Sequence, residues 1–277
     1  MPLIVTADSS ILLGGEWWVE KASTATRAQR ARGRTCGAYL GAANGDEPAY
    51  FQMAMIAFER AGLEQSACRH VKADSELSDR SFVAERAAVV ILAGGDPLLA
   101  EDAFAASGMN DAILCAARAG ALIVGTSAGA IHMGLFGAPE SVSLVAGHSP
   151  AQPLVPNLCN ALCKSLGGSM HNPLFRTLGL LPFAFGAHEE ASDWANFLAM
   201  LAMACECDVA VAGIGLPFSS AIIFDGDIAE IACQTSRVLK EPILFSEAGA
   251  ARRPLQLGSQ WKLSRPRDGA AASLLPI

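Results

Sequence analysis

Charged side chains are scarce in this chain, 17% of 277 residues against 52% hydrophobic ones, and the formal net charge is -7. A nucleic-acid binder needs a basic footprint to neutralise phosphates, and none of general extent is present. Arg27, Arg30, Arg32 and Arg34 form the one short basic run, which reads as a solvated loop. Zinc spacing is missing too: Cys205 and Cys207 stand one residue apart with no matching second pair, so neither a metal nor another cofactor is expected. The eight cysteines lie mostly in apolar segments and read as buried thiols of a reducing compartment. No positive stretch precedes the first apolar residues and Asp8 comes early, unlike a secretory signal, so a cytoplasmic location is the expectation. The nearest approach to a membrane span, residues 195–216, is interrupted by Glu206 and Asp208 and turns strand-like near Val209, which predicts a buried helix followed by a buried strand. Internal repeats, low-complexity tracts and linkers are absent, so residues 1–277 are expected to form a single α/β domain.

What is present is alternation. Between residues 36 and 130, short apolar runs alternate with longer amphipathic ones, the pattern of βαβ units and a parallel sheet. Residues 36–43 predict a strand, and residues 47–61 a helix with Phe51, Met55 and Phe58 at helical spacing, closed by Gly62. A strand over 67–71 follows. Residues 87–93 are continuously apolar, as in a strand covered on both faces, and end in Gly94-Gly95-Asp96-Pro97. A helix over 111–118 then leads to a strand at 121–124. Upstream, residues 11–16 predict a strand running into a glycine turn that opens the sheet. Residues 138–177 carry Pro139, Pro150, Pro153, Pro156 and Pro173 without a sustained period, predicting a loop-rich, lid-like segment. Residues 220–224 and 228–232 flank Asp225-Gly226-Asp227, a hairpin signal placed near the far edge of the sheet.

Where the apolar run 121–124 stops, the chain reads Gly125-Thr126-Ser127-Ala128-Gly129, and a helical pattern follows. A tight strand-to-helix turn brings two backbones together, so glycine suits positions 125 and 129 while Ser127 projects from the apex. A purely structural turn can share the pattern; the flanking strand and helix favour a nucleophile. A serine hydroxyl is a weak nucleophile until a base takes its proton. His70 ends a strand far upstream, His132 sits behind the serine as a packing residue, and His148 and His171 lie in the irregular segment. His188 follows a turn and buried strand over residues 178–187, and strand ends are where α/β sites assemble. It is either the base or an exposed loop histidine paired with Glu189 or Glu190. An oxyanion needs two donors, one of which the Gly94-Gly95 pair can supply and the other the N–H of Ala128; otherwise Gly94-Gly95 is a plain βα turn.

The set of motifs resembles the S51 serine peptidases, which include cyanophycinase and aspartyl dipeptidase. It spans residues 11–232 and comprises Leu13-Gly14-Gly15-Glu16, Gly41-Ala42-Ala43, Ala93-Gly94-Gly95-Asp96, the serine turn through Ala130, Leu178-Gly179-Leu180-Leu181, His188, and Gly213-Ile214-Gly215 followed by Asp225-Gly226-Asp227. The resemblance implies a class I glutamine amidotransferase-like (flavodoxin-like) three-layer sandwich: α/β, a mostly parallel sheet with helices on both faces and a C-terminal β-hairpin. It implies Ser127 as nucleophile, His188 as base, Gly95 and Ala128 as oxyanion hole, and, by a loose match, Glu140 as the third member of the triad. The family cleaves aspartyl or β-aspartyl linkages in small peptides or polymers. This chain departs from the family pattern at Gly186, Pro97, Glu189 and the stretch Glu190-Ala191-Ser192-Asp193-Trp194, where members carry an acid, a polar residue, a phenylalanine and an arginine-rich run.

The leading expectation is therefore a serine hydrolase of peptide or isopeptide bonds in small aspartyl or β-aspartyl peptides or cyanophycin-like material. Gly94, Asp96, Glu189 and Glu190 are the expected substrate contacts, and the last two carboxylates point to a basic or amino-terminal group on the substrate. The alternative is a catalytically silent binding or regulatory protein on the same scaffold. Expected partners are a small peptide, no nucleic acid, no membrane, and a second copy in a homodimer if the apolar helix at 195–203 packs outward rather than into the core.

Overall fold

The computed structural model describes residues 2–138, 174–206, 211–233, 241–246, 251–264 and 271–277. Five apolar segments form the parallel half of a nine-stranded sheet: β1 (Pro2–Thr6), β2 (Cys36–Leu40), β3 (Cys68–Val71), β4 (Ala87–Leu92) and β5 (Leu122–Thr126), in the spatial order β1-β5-β4-β2-β3. Every residue of β4 and β5 is buried, which is why both read as unbroken apolar runs. Helices α1 (Ser10–Gly14) and α2 (Glu16–Arg30) connect β1 to β2, and α3 (Pro48–Arg60) connects β2 to β3. Helix α4 (Leu77–Ser81) and a π-helical turn at Phe82–Arg86 lead into β4. Helices α5 (Pro97–Ser107) and α6 (Met109–Arg118) lead into β5, and α7 (Ala128–Met133) leaves it.

The expected opening strand at residues 11–16 is instead α1, and the sheet opens with β1. Asp8 decides this locally: its Oδ1 accepts from the Ser10 N–H at 2.9 Å and from the Ser10 hydroxyl, starting a helical turn that buries Ile11 and Leu12. A short apolar run carries no period that separates the two outcomes.

Beyond α7 come β6 (Phe136–Gly137) and β7 (Phe175–Arg176), which pair with each other, then β8 (Ala184–Ala187), α8 (Ala195–Glu206) and β9 (Gly213–Leu216). The chain continues through β10 (Ser220–Asp225), β11 (Ile228–Cys233), β12 (Ile243–Phe245), β13 (Arg252–Pro254), β14 (Gln260–Ser264) and β15 (Ser273–Pro276). The hairpin β10–β11 is real, but it does not lie near the edge. β10 pairs antiparallel with β1 in mid-sheet, while β14 and β15 continue the sheet beyond β11.

A second, four-stranded sheet, β13-β12-β9-β8, carries its own core. Phe197, Met200, Leu201 and Met203 of α8 are buried there with Trp194 and Phe245. Glycines in β8 and β9 make room for the rings, since a Cβ on Gly186 would stand 2.6 Å from Phe197 and one on Gly215 2.8 Å from Trp194. The buried helix and buried strand expected at 195–216 are thus found. The apolar face of the helix packs into this core. The thiols are less uniformly buried than expected: Cys36 is buried, Cys68 half-buried and Cys115 exposed, all three free.

Candidate active site

Ser127 stands between β5 and α7 at φ 51, ψ -112, a conformation that clashes for any residue with a side chain. Surrounding backbone imposes it. The Ser127 N–H donates to the Thr6 carbonyl at 2.9 Å, and its own carbonyl accepts from Ala130 at 2.9 Å and Ile131 at 3.2 Å. The turn closes so tightly that a Cβ on Gly125 would come 2.7 Å from the Ala130 nitrogen, and one on Gly129 2.7 Å from the Leu92 carbonyl carbon.

At the end of β4, Gly94 lies against the serine: a Cβ there would be 3.2 Å from that of Ser127. Gly95 has φ 136 and presses against the Ala43 carbonyl, leaving no space for a side chain. Among the described residues, no backbone hydrogen bond engages the N–H of Gly95 or Ala128. Asp96 has a structural task. Its Oδ1 accepts from Leu98 at 2.8 Å and Leu99 at 3.3 Å, capping α5 with Pro97 in the first turn.

His188 follows β8, on the second sheet rather than the first, with φ 63 and its N–H on the Leu216 carbonyl at 3.1 Å. Its ring centroid lies 4.7 Å from that of Phe218, and its Nδ1 is buried without a hydrogen-bond partner among the described residues. Ser127 and His188 line one cavity of about 340 Å³, together with Gly94 and Gly95, with no hydrogen bond between the two side chains. Catalytic hydrogen bonds are often long in the absence of substrate. A second cavity of about 400 Å³ opens on the other side of the serine and includes Gly95, Ala128 and Glu189.

The two carboxylates after His188 are held by backbone. Glu189 Oε2 accepts from the Phe197 N–H in the first turn of α8 at 3.0 Å, and burial pushes its carboxyl above the usual range. Glu190 Oε1 accepts from the Phe218 N–H at 3.0 Å, while Oε2 is buried without a partner among the described residues. Glu140, His148 and His171 lie outside the described residues. His132 packs behind the turn, with Nε2 on the Pro97 carbonyl at 2.7 Å; burial holds it below the usual histidine range. His70 is stacked on Phe51 at 4.9 Å and sits 3.5 Å from Asp46.

Three residues of the first cavity escaped the sequence analysis. Asp8 lines it, with Oδ2 accepting from the Ser219 N–H at 2.7 Å. Tyr39 and Asn44 line it too, the Tyr39 hydroxyl accepting from Asn44 Nδ2 at 2.7 Å and the Asn44 Oδ1 buried without a partner among the described residues. Burial pushes the Tyr39 phenol up to about 12, so its hydroxyl stays protonated. Correct placement of β1 would have pointed to Asp8, which follows it; Tyr39 and Asn44 lie at and just beyond the end of β2, a strand the sequence did show.

A strained apex serine between two parallel-sheet strand ends and a histidine across a shared cavity is the equipment of acyl-group chemistry. Together with the comparisons, the fold defines a serine-type peptidase of the α/β class. The chain belongs to peptidase family S51, whose family model matches residues 11–232. Two solved structures share the fold. A peptidase from an acI-B1 Actinobacterium is 14% identical, with TM-score 0.61 over 94% of this chain and 96% of that one. A putative peptidase E protein from Listeria monocytogenes EGD-e is also 14% identical, with TM-score 0.53 over 84% of this chain and 98% of that one. No curated protein matches the chain. Among the described residues no helix is long and apolar enough to cross a membrane, and no group of His, Cys, Asp and Glu is arranged to hold a metal ion.

Proposed function

We propose that the protein hydrolyses peptide or isopeptide bonds in small peptides through an acyl-enzyme on Ser127. The Ser127 oxygen attacks the carbonyl while His188 takes its proton, and the N–H groups of Gly95 and Ala128 receive the developing oxyanion. The C–N bond then breaks, His188 returns the proton to the leaving amine, and water activated by His188 clears the acyl group. Small peptides are the substrates in this proposal, the aspartyl and β-aspartyl linkages of the family among them. Glu140 is the acid that the family resemblance assigns to orient the histidine. The free thiols of Cys36, Cys68 and Cys115 favour a reducing, cytoplasmic setting.

The observation that carries the proposal is the Ser127 backbone, held at φ 51 where a purely structural turn has no use for the strain. A second possibility, a silent binding protein on the same scaffold, draws on the Phe218 ring 4.7 Å from that of His188 and on the absence of a hydrogen bond between the Ser127 and His188 side chains. Intact-mass labelling with a fluorophosphonate separates the two. One adduct on the native chain, lost in Ser127→Ala and in His188→Ala, is the expected result. A folded native chain that takes no label favours the binding protein.

A further inference from the structure

The cavity that holds Ser127 and His188 has a mixed lining. Its polar residues include Ser127, His188, Thr126, Tyr50 and Ser9. Its apolar residues are Leu12 and Leu13 from α1, Met53, Ala54 and Ala57 from α3, and Ile91 from β4. At about 340 Å³ the space accommodates one large side chain next to a scissile bond.

Charge on this lining has one sign. Apart from His188, the only ionisable group normally charged at neutral pH is Asp8, and no Lys or Arg contributes among the described residues. A carboxylate entering the cavity would lose water, meet a like charge and find no cation.

We propose that this cavity is the specificity pocket of the protein and takes a bulky, uncharged apolar side chain, of the leucine, methionine or phenylalanine kind, on the residue beside the scissile bond. An acidic side chain is disfavoured there, which makes aspartyl peptides the poorer substrates within the class of small peptides proposed above. The proposal rests on the serine-hydrolase function for its catalytic part only, since pocket preference is also a matter of binding. Leu12, Met53 and Ile91 then act as specificity-determining residues, and the discrimination follows from apolar area removed from water against an unpaired buried charge.

The test compares Leu-Ala, Phe-Ala, Ala-Leu and Ala-Phe with Asp-Ala and Ala-Asp, using kcat/KM for the native chain and calorimetric affinity for Ser127→Ala. In whichever position of the dipeptide occupies the pocket, the apolar series is expected to exceed the acidic one by about tenfold or more. Met53→Arg places a cation in the wall from a half-buried position on α3 and is expected to shift that ratio at least tenfold toward the acidic peptide. Circular dichroism checks that the variant is folded. Equal or preferred use of the acidic peptides overturns the proposal, as does a folded Met53→Arg protein with an unchanged ratio. If Ser127 takes no label and nothing is cleaved, the hydrolase function fails separately, and the affinities of Leu-Ala and Asp-Ala for Ser127→Ala decide the pocket: tighter Leu-Ala supports it, and equal, reversed or no binding overturns it.

Discussion

At Ser127 local stability is given up for position. A non-glycine residue in so sparsely populated a conformation costs on the order of 1–3 kcal/mol, and the bonds donated to Thr6 and accepted from Ala130 and Ile131 hold it there. Replacing Ser127 by glycine removes the Cβ that causes the strain. Ser127→Gly is therefore expected to raise the urea midpoint, by roughly 1 kcal/mol of stability, while abolishing the fluorophosphonate adduct. A lower midpoint would mean that the serine side chain supports the fold. The serine was legible at this scale because strand, glycine, serine, glycine and helix follow one another in the chain. The setting of His188 was only half legible. A strand end could be predicted from the apolar residues before it, but that β8 pairs with β9 in a separate sheet is a contact between distant segments with no local signature.

Helix starts hold two of the three acidic residues that the sequence suggested as substrate contacts, Asp96 at α5 and Glu189 at α8. Asp96 stands immediately before Pro97 at the start of α5, and an acid at the N-cap followed by proline is itself a helix-start signal. Local sequence held the information, but the adjacent glycine pair drew it toward the site. Asp96→Ala is expected to cost about 0.5–2 kcal/mol in urea denaturation, and Asp96→Asn, which keeps an accepting oxygen, to recover most of that. If the asparagine variant is as stable as native yet loses peptide hydrolysis, the carboxylate has a role beyond the cap. The parallel strands were the easiest elements to read, because burial on both faces leaves an unbroken apolar run such as β4. The segment at 11–16 was misread for the complementary reason: a short apolar run names no period, and the deciding contact came from Asp8, three residues upstream.

At the scale of the whole molecule, two imidazoles that fold in the neutral form contribute to acid sensitivity. His132 and His70 are both held below the ordinary histidine value of 6.5 by burial. The unfolded chain then binds protons first, so stability present at neutral pH is lost as the pH falls through 6.5 toward the folded-state values. Glu101 and Glu189, raised by burial from 4.5, have the opposite slope in their own, more acidic range, because the folded state keeps their protons longer. His132→Gln is expected to flatten the decline in thermal midpoint between pH 7 and 5.5, leaving the smaller slope due to His70. An unchanged slope would show that His132 stays accessible to protons in the fold. The same integration appears in β1, whose register joins residues 2–6 to residues 221–225 on one side and to β5 on the other. Thr6 carries it to the site: its carbonyl receives the Ser127 N–H, and its hydroxyl bonds to Ser220, 214 positions away. During synthesis from the N-terminus, the serine turn therefore lacks its complete support until the ribosome has passed residue 225. Contacts of such long range close slowly, so the catalytic geometry is among the last things this chain acquires and the emerging polypeptide is not yet a peptidase.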